Sequence, residues 1–360
     1  MGIARGDQAS GTYTHFLMVE IREATPADGE ELQRLEDASP QGHDSRIATE
    51  RSTFFYRSAL FPRARVLLAL EGSRAVGLMA YAIKEAYVQG ERVPAAYFYD
   101  LRSDPTYRRS MKRGLWELWK TLRDEATAAG ARFVYGHVKG DNVEAMRVFS
   151  RGGAQVVGGF NVLLLPTRPG RVRFRPLPDR RDGVARLEEA VGRRDLLPSY
   201  LADAYTRGEE LGYLRGIFRL EKGRSFAQAS VWDCSNTHRQ RVLAIPGLYR
   251  VLARGVNPLA RVLPLPRIPV PGRTLAFWHV FDVMVKGRTG PHLLGEILND
   301  LLHRAHGEGA DLLALFHSRA DPLVRLPRIL LKETLIYQTV ALPLAGPLPT
   351  PPIYLDIREL

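Results

Sequence analysis

Hydrophobic and polar positions follow two different periods along the first half of the chain. Thr25 followed by Pro26 marks the start of a helix near the N-terminus. Apolar residues three and four positions apart predict a helix over 113–129 and a shorter helix over 142–151. Apolar residues at alternate positions predict strands over 19–22, 65–70, 75–84, 95–102, 132–138 and 156–165.

The same order of elements returns after a short linker at 166–170. In both halves a strand, a basic glycine-containing loop, a long helix, a strand and a short helix follow one another. We interpret this order as the duplication of one α/β unit, with a disordered tail at 1–17 and lobes at 18–166 and 171–360. The second half is predicted to hold strands at 172–177, 218–220, 226–232, 274–285, 311–316, 337–342 and 353–357, and helices at 183–191, 291–306 and 321–326.

One stretch of the second half, residues 241–272, has no counterpart in the first half. Apolar residues and arginines alternate at roughly helical spacing through 248–262, and prolines follow. A basic amphipathic helix of this kind can lie on a membrane surface, bind an acidic partner or pack its apolar face against the core. The sequence leaves these three alternatives open.

Composition and charge narrow the class of protein. The 360 residues carry a formal net charge of +12, which favours acidic partners such as nucleotide phosphates, an acidic carrier protein or anionic lipid. The single cysteine, Cys234, cannot form an intramolecular disulfide, and we expect a cytoplasmic protein. The longest charge-free run, residues 336–355, contains five prolines and is therefore not expected to span a membrane.

Three segments of the first half carry a resemblance to a known family. They are "VEIREATPADGEELQRL" from Val19, "SDPTYRR" from Ser103 and "GDNVEAMRVFSRGGAQVVGGF" from Gly140. These segments resemble the GNAT acetyltransferase superfamily over most of residues 19–165, and the second half resembles it by element order. The chain is thus similar to a tandem GNAT protein, for which each α/β lobe is expected to have a mixed central sheet flanked by helices.

The resemblance implies acetyl-coenzyme A or another acyl-coenzyme A as co-substrate, and no metal. Family members splay two neighbouring strands, the first of them here at 95–102, and the pantetheine arm pairs with strand backbone in the gap, here at Leu101, Arg102 and Ser103. The pyrophosphate binds backbone N–H groups at the start of the next helix. The corresponding residues here are Arg108, Arg109, Ser110, Met111, Lys112, Arg113 and Gly114, with Asn142 orienting the ligand.

Two positions depart from the family pattern. Met111 and Arg113 stand where the phosphate-binding loop normally has glycines, although a shift of one residue brings Gly114 into register. Phe149 stands where many members have a tyrosine that protonates the departing thiolate, and a phenyl ring cannot donate a proton. The first lobe is therefore expected to keep the charge of a phosphate site but fewer of its glycines.

Three carboxylates are candidates for the base that accepts a proton from an attacking amine: Asp100, Asp282 and Glu85. The two aspartates occupy similar places on the two aromatic strands, and the glutamate ends the preceding strand. Each can instead be a buried, hydrogen-bonded residue or simply a strand end. The histidine spacing does not predict a metal site.

The favoured function is an N-acyltransferase that transfers an acyl group to the amine of a small molecule or peptide by direct attack. One alternative uses long acyl chains, delivered by coenzyme A or by an acidic acyl carrier protein. Another is a non-catalytic acyl-coenzyme A-binding or scaffold protein derived from the same fold. The arginines are scattered without an aromatic-interleaved motif, which does not favour nucleic acid as a partner.

Overall fold

The computed structural model describes residues 19–40, 46–192, 194–199, 201–260, 262–263, 265, 267–318, 320 and 332–359, with backbone alone for 108–111. The predicted tail at 1–17 and the predicted short helix at 321–326 lie outside the described residues. The α-helices are α1 (Gly29–Ala38), α2 (Arg108–Ala128), α3 (Val143–Arg151), α4 (Arg180–Val191), α5 (Leu201–Glu210), α6 (Gly247–Leu259) and α7 (Gly290–Gly307). The strands are β1 (Val19–Glu23), β2 (Arg46–Arg51), β3 (Ala64–Glu71), β4 (Arg74–Val88), β5 (Glu91–Ser103), β6 (Phe133–Lys139), β7 (Gln155–Pro166), β8 (Leu214–Lys222), β9 (Ser225–Asp233), β10 (His238–Ala244), β11 (Thr274–Leu275), β12 (Phe277–Lys286), β13 (Leu312–His317) and β14 (Glu333–Pro343).

Eleven of these strands form one mixed sheet in the order β1-β3-β4-β5-β6-β14-β7-β13-β12-β9-β8, and β11, β10 and β2 form a second, small sheet. Strand β14 lies between β6 and β7, with Val340 opposite Gly136 on one side and Val156 on the other. Strand β7 in turn pairs with β13. The predicted mixed sheet flanked by helices is confirmed, and it runs without a break through both halves of the chain.

Side chains alternate across this sheet and build cores on both faces. On β5, Phe98 packs with Leu118 of α2, whereas Tyr97 points to the opposite face. In the second half, α7 covers the sheet with residues such as Leu294. The faces that α2 and α7 leave uncovered share one buried cluster, which contains both Tyr97 and Phe281. This shared core joins the two halves through apolar burial.

The predicted strand at 172–177 is wrong, because its backbone donors have other partners. The N–H groups of Arg173 and Phe174 donate to the carboxylate of Asp300 on α7. Paired with a side chain in this way, the segment has no strand assignment, although its apolar and polar residues alternate. The alternation of apolar and polar residues predicted a strand, but it does not indicate which acceptor each backbone N–H group will bond to.

Two further predictions from strand patterning need correction. The segment at 353–357 is not a strand: the N–H of Tyr354 donates to the Asp195 carbonyl (2.8 Å), and the chain then forms a short 3₁₀ helix at Ile357–Glu359. The predicted strand at 274–285 is two strands separated at Ala276. Strands β2 and β10 were not predicted, because they read RIATER and HRQRVLA and are dominated by polar residues. Helix α5 was not predicted either.

Candidate functional site

Strands β5 and β6 separate shortly after they meet. They pair in parallel at Ala96 with Val134 and at Tyr97 with Tyr135. Beyond Tyr97, β5 continues to Ser103 with no strand on that edge within the described part of the chain. The separation creates a gap whose β5 side offers backbone groups to a ligand, as the free edge of any sheet does.

A β-bulge lies where the strands part. Opposite β4 the pairing shifts between Ala80–Tyr99 and Leu78–Arg102, so β5 holds an extra residue there. Asp100 at this bulge has φ 51°, in the left-handed region that aspartate tolerates better than most residues. Its carboxylate accepts two hydrogen bonds from Arg51, at 2.6 and 2.8 Å.

The environment of Asp100 keeps it ionised. Burial would raise the pKa of this carboxyl group, but the charges of Arg51 and Arg57 outweigh burial and hold the pKa well below its ordinary range. A carboxylate of such low basicity is a poor proton acceptor. The geometry of Asp100 therefore suits an anchor for the bulge better than the base considered from the sequence.

The second half repeats this arrangement on β12 and β13. These strands pair in parallel from Phe277 to Val280 and then part, and the register with β9 shifts just beyond, around Asp282. Asp282 has φ 49° and accepts hydrogen bonds from the hydroxyls of Tyr205 (2.6 Å) and Tyr354 (2.8 Å). The two aspartates that looked similar in sequence thus occupy equivalent bulges.

The gap beside Asp282 is largely filled. A cavity of about 40 Å³ remains there, lined by Asp282, His317, Ser318, Tyr354 and apolar side chains. A cavity of this size holds a few water molecules and is too small for a coenzyme arm. The gap beside Asp282 is therefore a poor candidate for a large ligand, whereas the other gap has the free edge of β5.

Glu85, the third carboxylate considered from the sequence, lies away from the gap. It faces Pro94 across the β4–β5 ladder, three residues before Tyr97, or about 10 Å along the strand. Its half-exposed carboxylate pairs with Arg92. The structure thus brings neither Glu85 nor Asp282 to the point where β5 and β6 part.

The expected phosphate loop forms the first turns of a helix. Helix α2 begins at Arg108, five residues earlier than the periodicity predicted. Its first N–H groups have no partner within the helix, and they follow directly on the turn after β5. Lys112 and Arg113 are exposed. The side chains of Arg108, Arg109, Ser110 and Met111 lie outside the described residues.

Gly114 is a packing glycine. It is buried on α2, and a Cβ placed there would lie 3.0 Å from the Cβ of Ala69 on β3. The missing side chain lets α2 approach the sheet closely. The glycine that could be brought into register with the family's loop is explained here by helix–sheet contact.

The three residues predicted to pair with pantetheine lie at the end of β5. Arg102 donates to both carboxylate oxygens of Glu36 (3.0 and 3.2 Å) and to the Leu101 carbonyl (3.0 Å), so its side chain holds α1 against β5. The Ser103 carbonyl accepts a hydrogen bond from Ser39 (2.5 Å). The carbonyls of Leu101 and Ser103 therefore already have partners.

Asn142 and Phe149 both stabilise α3. The Asn142 side chain caps the helix by accepting from the Ala145 N–H at 3.1 Å. Phe149 is buried against Phe98 and Trp119, with ring centroids 5.1 and 5.8 Å away. The ring at position 149 is thus part of an aromatic cluster that joins α2, α3 and β5.

A buried polar cluster at the gap was missed by the sequence analysis. Tyr97 and Tyr135, the last pair before β5 and β6 part, both donate to Glu359, the former to its carbonyl and the latter to its carboxylate. His137 lies two residues further along β6, with Nε2 3.2 Å from the same carboxylate and Nδ1 3.0 Å from the Thr339 hydroxyl. The C-terminal sequence gave little signal, because its alternation predicted a strand.

Lys84 and Asp356 complete this cluster. Lys84 contacts the carboxylates of Asp356 (3.1 Å) and Glu359. Burial would raise the pKa of Asp356, but the charges of Arg358 and Lys84 hold it well below its ordinary range. Burial also raises the pKa values of Tyr97 and Tyr135 well above the ordinary tyrosine value, so both hydroxyls stay protonated. We call this group the C-terminal cluster: Lys84, Tyr97, Tyr135, His137, Asp356 and Glu359.

Comparison with known proteins finds one family model that matches a third of the chain. Residues 20–139 match the model of the acetyltransferase (GNAT) domain. No curated protein sequence matches the chain. Over the described residues, no three His, Cys, Asp or Glu side chains are grouped to hold a metal ion, and no helix is long and apolar enough to cross a membrane.

Solved structures of N-myristoyltransferase show the same fold at low identity. N-myristoyltransferase of Saccharomyces cerevisiae with bound myristoyl-CoA has a TM-score of 0.55 at 12% identity, covering 90% of this chain and 82% of that one. A second structure of that enzyme with myristoyl-CoA gives 0.54 at 11% identity, over 95% and 83%. Eis1 from Mycobacterium abscessus gives 0.45 at 15% identity, over 91% and 73%.

Proposed function

We propose, from the premise that this chain is a member of the GNAT superfamily, that it is an acyl-coenzyme A-dependent N-acyltransferase acting on an amine. The observation that carries the proposal is the parting of β5 and β6 after Tyr97 and Tyr135, immediately before α2. This one place offers an unpaired strand edge and the start of a long helix. An extended pantetheine arm and a pyrophosphate fit those two features respectively.

The charge around the gap supports an anionic ligand. Lys112 and Arg113 are exposed on the first turns of α2, and Arg108 and Arg109 occupy its first two positions. A helix N-terminus and nearby cations both favour phosphate oxygens. The N–H groups of Leu101 and Ser103 are the groups on β5 that we propose pair with the pantetheine amides.

The reaction is direct attack of an amine on the thioester carbonyl. The new C–N bond forms as the C–S bond breaks, the nitrogen loses a proton and the coenzyme thiolate leaves and takes up a proton. We propose that His137 accepts the proton from the amine, because its ring follows the point where β5 and β6 part and its Nε2 lies 3.2 Å from the Glu359 carboxylate, which orients the ring. Asp100, by contrast, is proposed to hold the bulge.

The acyl donor is proposed to be acetyl-coenzyme A, with a long-chain donor as the second candidate. The likeness in fold to a protein solved with myristoyl-CoA is the observation that favours the second candidate. Length of the acyl chain is therefore the first variable to test. A non-catalytic binding protein is the third candidate, favoured by Phe149 and by the helical start at Arg108.

Thermal melts with excess coenzyme A, acetyl-coenzyme A and palmitoyl-coenzyme A test binding. A ligand at about 100 times its dissociation constant adds about 2.7 kcal/mol to the free energy of unfolding. We expect Arg108→Ala to reduce this effect. Arg123→Ala, an exposed arginine further along α2, is the matched control and is expected to leave it unchanged. No shift with any of the three ligands would overturn the proposal.

Release of free thiol in the presence of a panel of primary amines then tests catalysis. Turnover with acetyl-coenzyme A supports the first candidate, and turnover with palmitoyl-coenzyme A alone supports the second. Binding without turnover for every amine would favour the non-catalytic protein. The two measurements together separate the loss of the ligand site from the loss of chemistry.

A further inference from the structure

The helix α6 directs its apolar side chains to solvent. Only Ala253, 4% exposed, is buried among the residues of this helix, while Leu248 is 69% and Val251 64% exposed. Together with Leu252 and Leu259 these residues follow the spacing i, i+3, i+4 and i+11, so they share one face of the helix. Of the three alternatives that the sequence left open, packing of this face on the core does not describe the structure.

The apolar surface continues beyond the helix. Val262 and Leu263 are also exposed, and they extend the same row by a further turn of spacing. The segment that follows is held back against α6, because Asn257 exchanges two hydrogen bonds with the backbone of Ile268 (2.8 and 3.0 Å). The exposed apolar residues are therefore displayed on a fixed element. We call this surface the α6 face: Leu248, Val251, Leu252, Leu259, Val262 and Leu263.

The chain segment that contains the α6 face carries formal charge of one sign, and two of its arginines are ion-paired: Arg241 with Asp37 and Glu50, and Arg273 with Asp311. The 43 residues from 239 to 281 contain seven arginines and no aspartate, glutamate or lysine. Arg254 lies next to Val251 around the helix, at the border of the apolar row, whereas Arg250 lies on the opposite side of α6; both are exposed. Arg267 is exposed nearby. An apolar row bordered by arginines complements a ligand surface that has an apolar interior and negative charges at its boundary.

We propose that the α6 face docks on an anionic lipid membrane, with the apolar row in the acyl boundary and the arginines at the headgroup phosphates. A second copy of this chain is a poorer occupant, because a two-fold contact would bring the same arginines against each other. An acidic protein would match the charge but leaves the row of exposed apolar side chains less well explained. The proposal is independent of the acyltransferase function.

Vesicle co-sedimentation of the full chain tests the proposal. We expect at least about tenfold stronger binding to vesicles of phosphatidylcholine and phosphatidylglycerol in equal parts than to phosphatidylcholine alone, and weaker binding as salt is raised. The double variant Leu248→Gln, Val251→Gln is expected to lose about tenfold in binding. Val148→Gln is the matched control, since Val148 is 66% exposed on α3 and should not contribute.

Two further measurements keep the test decisive. Both side chains of the double variant are largely in water, so its thermal melt should match that of the parent chain. Sedimentation equilibrium establishes whether the chain self-associates. Equal binding to both vesicle types, undiminished binding of the double variant, or a dimer that the double variant converts to monomer would each overturn the proposal.

Discussion

Asp100 and Asp282 lie at equivalent bulges of two strands that part from their neighbours, with φ angles of 51° and 49°. Their carboxylates nevertheless have different partners. Asp100 accepts from the guanidinium of Arg51, whereas Asp282 accepts from two tyrosine hydroxyls. The same backbone feature thus contacts an arginine in one half and two tyrosine hydroxyls in the other.

This difference predicts unequal costs for one substitution made at both sites. Asp100→Asn keeps one acceptor but removes the charge that neutralises the Arg51 guanidinium, which is 3% exposed. The contact with Glu36 at 3.4 Å is then its remaining ion pair, and the free energy of unfolding should fall by about 3 kcal/mol. Asp282→Asn keeps an acceptor for one tyrosine and should cost about 1 kcal/mol. Asparagine tolerates the positive φ at both sites, so backbone strain cancels. Urea unfolding measures both, and equal losses would contradict the assignment.

Gly114 predicts a second contrast. Gly114→Ala would place a methyl group 3.0 Å from Ala69 and should destabilise the protein by about 1–3 kcal/mol. Gly29→Ala is the control, because Gly29 has open space around it and a helical φ of −53°, and it should stabilise by about 0.5 kcal/mol. If Gly114→Ala instead kept its stability and lost coenzyme A binding, the glycine would belong to the phosphate site.

His137 predicts a loss of chemistry with binding retained. His137→Gln removes the imidazole beside Glu359 and should lower kcat by at least about 100-fold. The shift in thermal stability caused by coenzyme A should remain, since the ring is proposed to act on the amine. His292→Gln, at an exposed position on α7, is expected to retain full activity. A variant at 137 with unchanged kcat and pH profile would remove His137 from the mechanism.

His279 predicts how stability depends on pH. Burial lowers its pKa to about 4, although Asp233 acts in the opposite direction. The unfolded chain, with a histidine pKa of about 6.5, therefore binds a proton that the folded protein excludes, and stability falls as pH decreases from about 6.5 to about 4. The difference corresponds to about 3 kcal/mol.

Desolvation and the charges of Arg51 and Arg57 lower the pKa of His238 in the same direction, which adds to this loss. Asp100 and Asp356, whose pKa values are lowered, give up their contributions only at pH values below about 4, so the two windows are separate. Urea unfolding at several pH values should show a shallower dependence for His279→Gln than for the parent chain. His292→Gln should leave the slope unchanged, and an unchanged slope in His279→Gln would refute the assignment.

Elements that depend on their own residues were predictable from the sequence. The amphipathic spacing of α2 and α7, the short helix α3 and the aromatic strands β5 and β12 all depend on residues close in the chain. The likeness of Asp100 and Asp282 was visible for the same reason, since both follow aromatic runs. The start of α2 was misplaced because the glycine pattern of the family suggested a loop at 108–114.

Features that depend on distant partners were not predictable. Glu359 meets Tyr97 and Tyr135 across more than two hundred residues of chain, and no local pattern announces that contact. The segment at 172–177 is not a strand, because its backbone donates to the carboxylate of Asp300 on α7. Arg51, which pairs with Asp100, lies on β2, and the polar sequence of this strand does not predict a strand. Periodicity reports which face of an element is apolar, and it does not report which partner covers that face.

The position of β14 between β6 and β7 gives the molecule an interlocked connectivity. Strand β7 belongs to the first half of the chain and pairs with β13 of the second half. Strand β14 belongs to the second half and pairs with β6 of the first half. A protease cut in the exposed stretch near Arg171 would therefore not release two bodies, because each fragment would still hold a strand of the other. During synthesis, the sheet of the first half therefore stays incomplete until β14 has been made and has paired with β6 and β7.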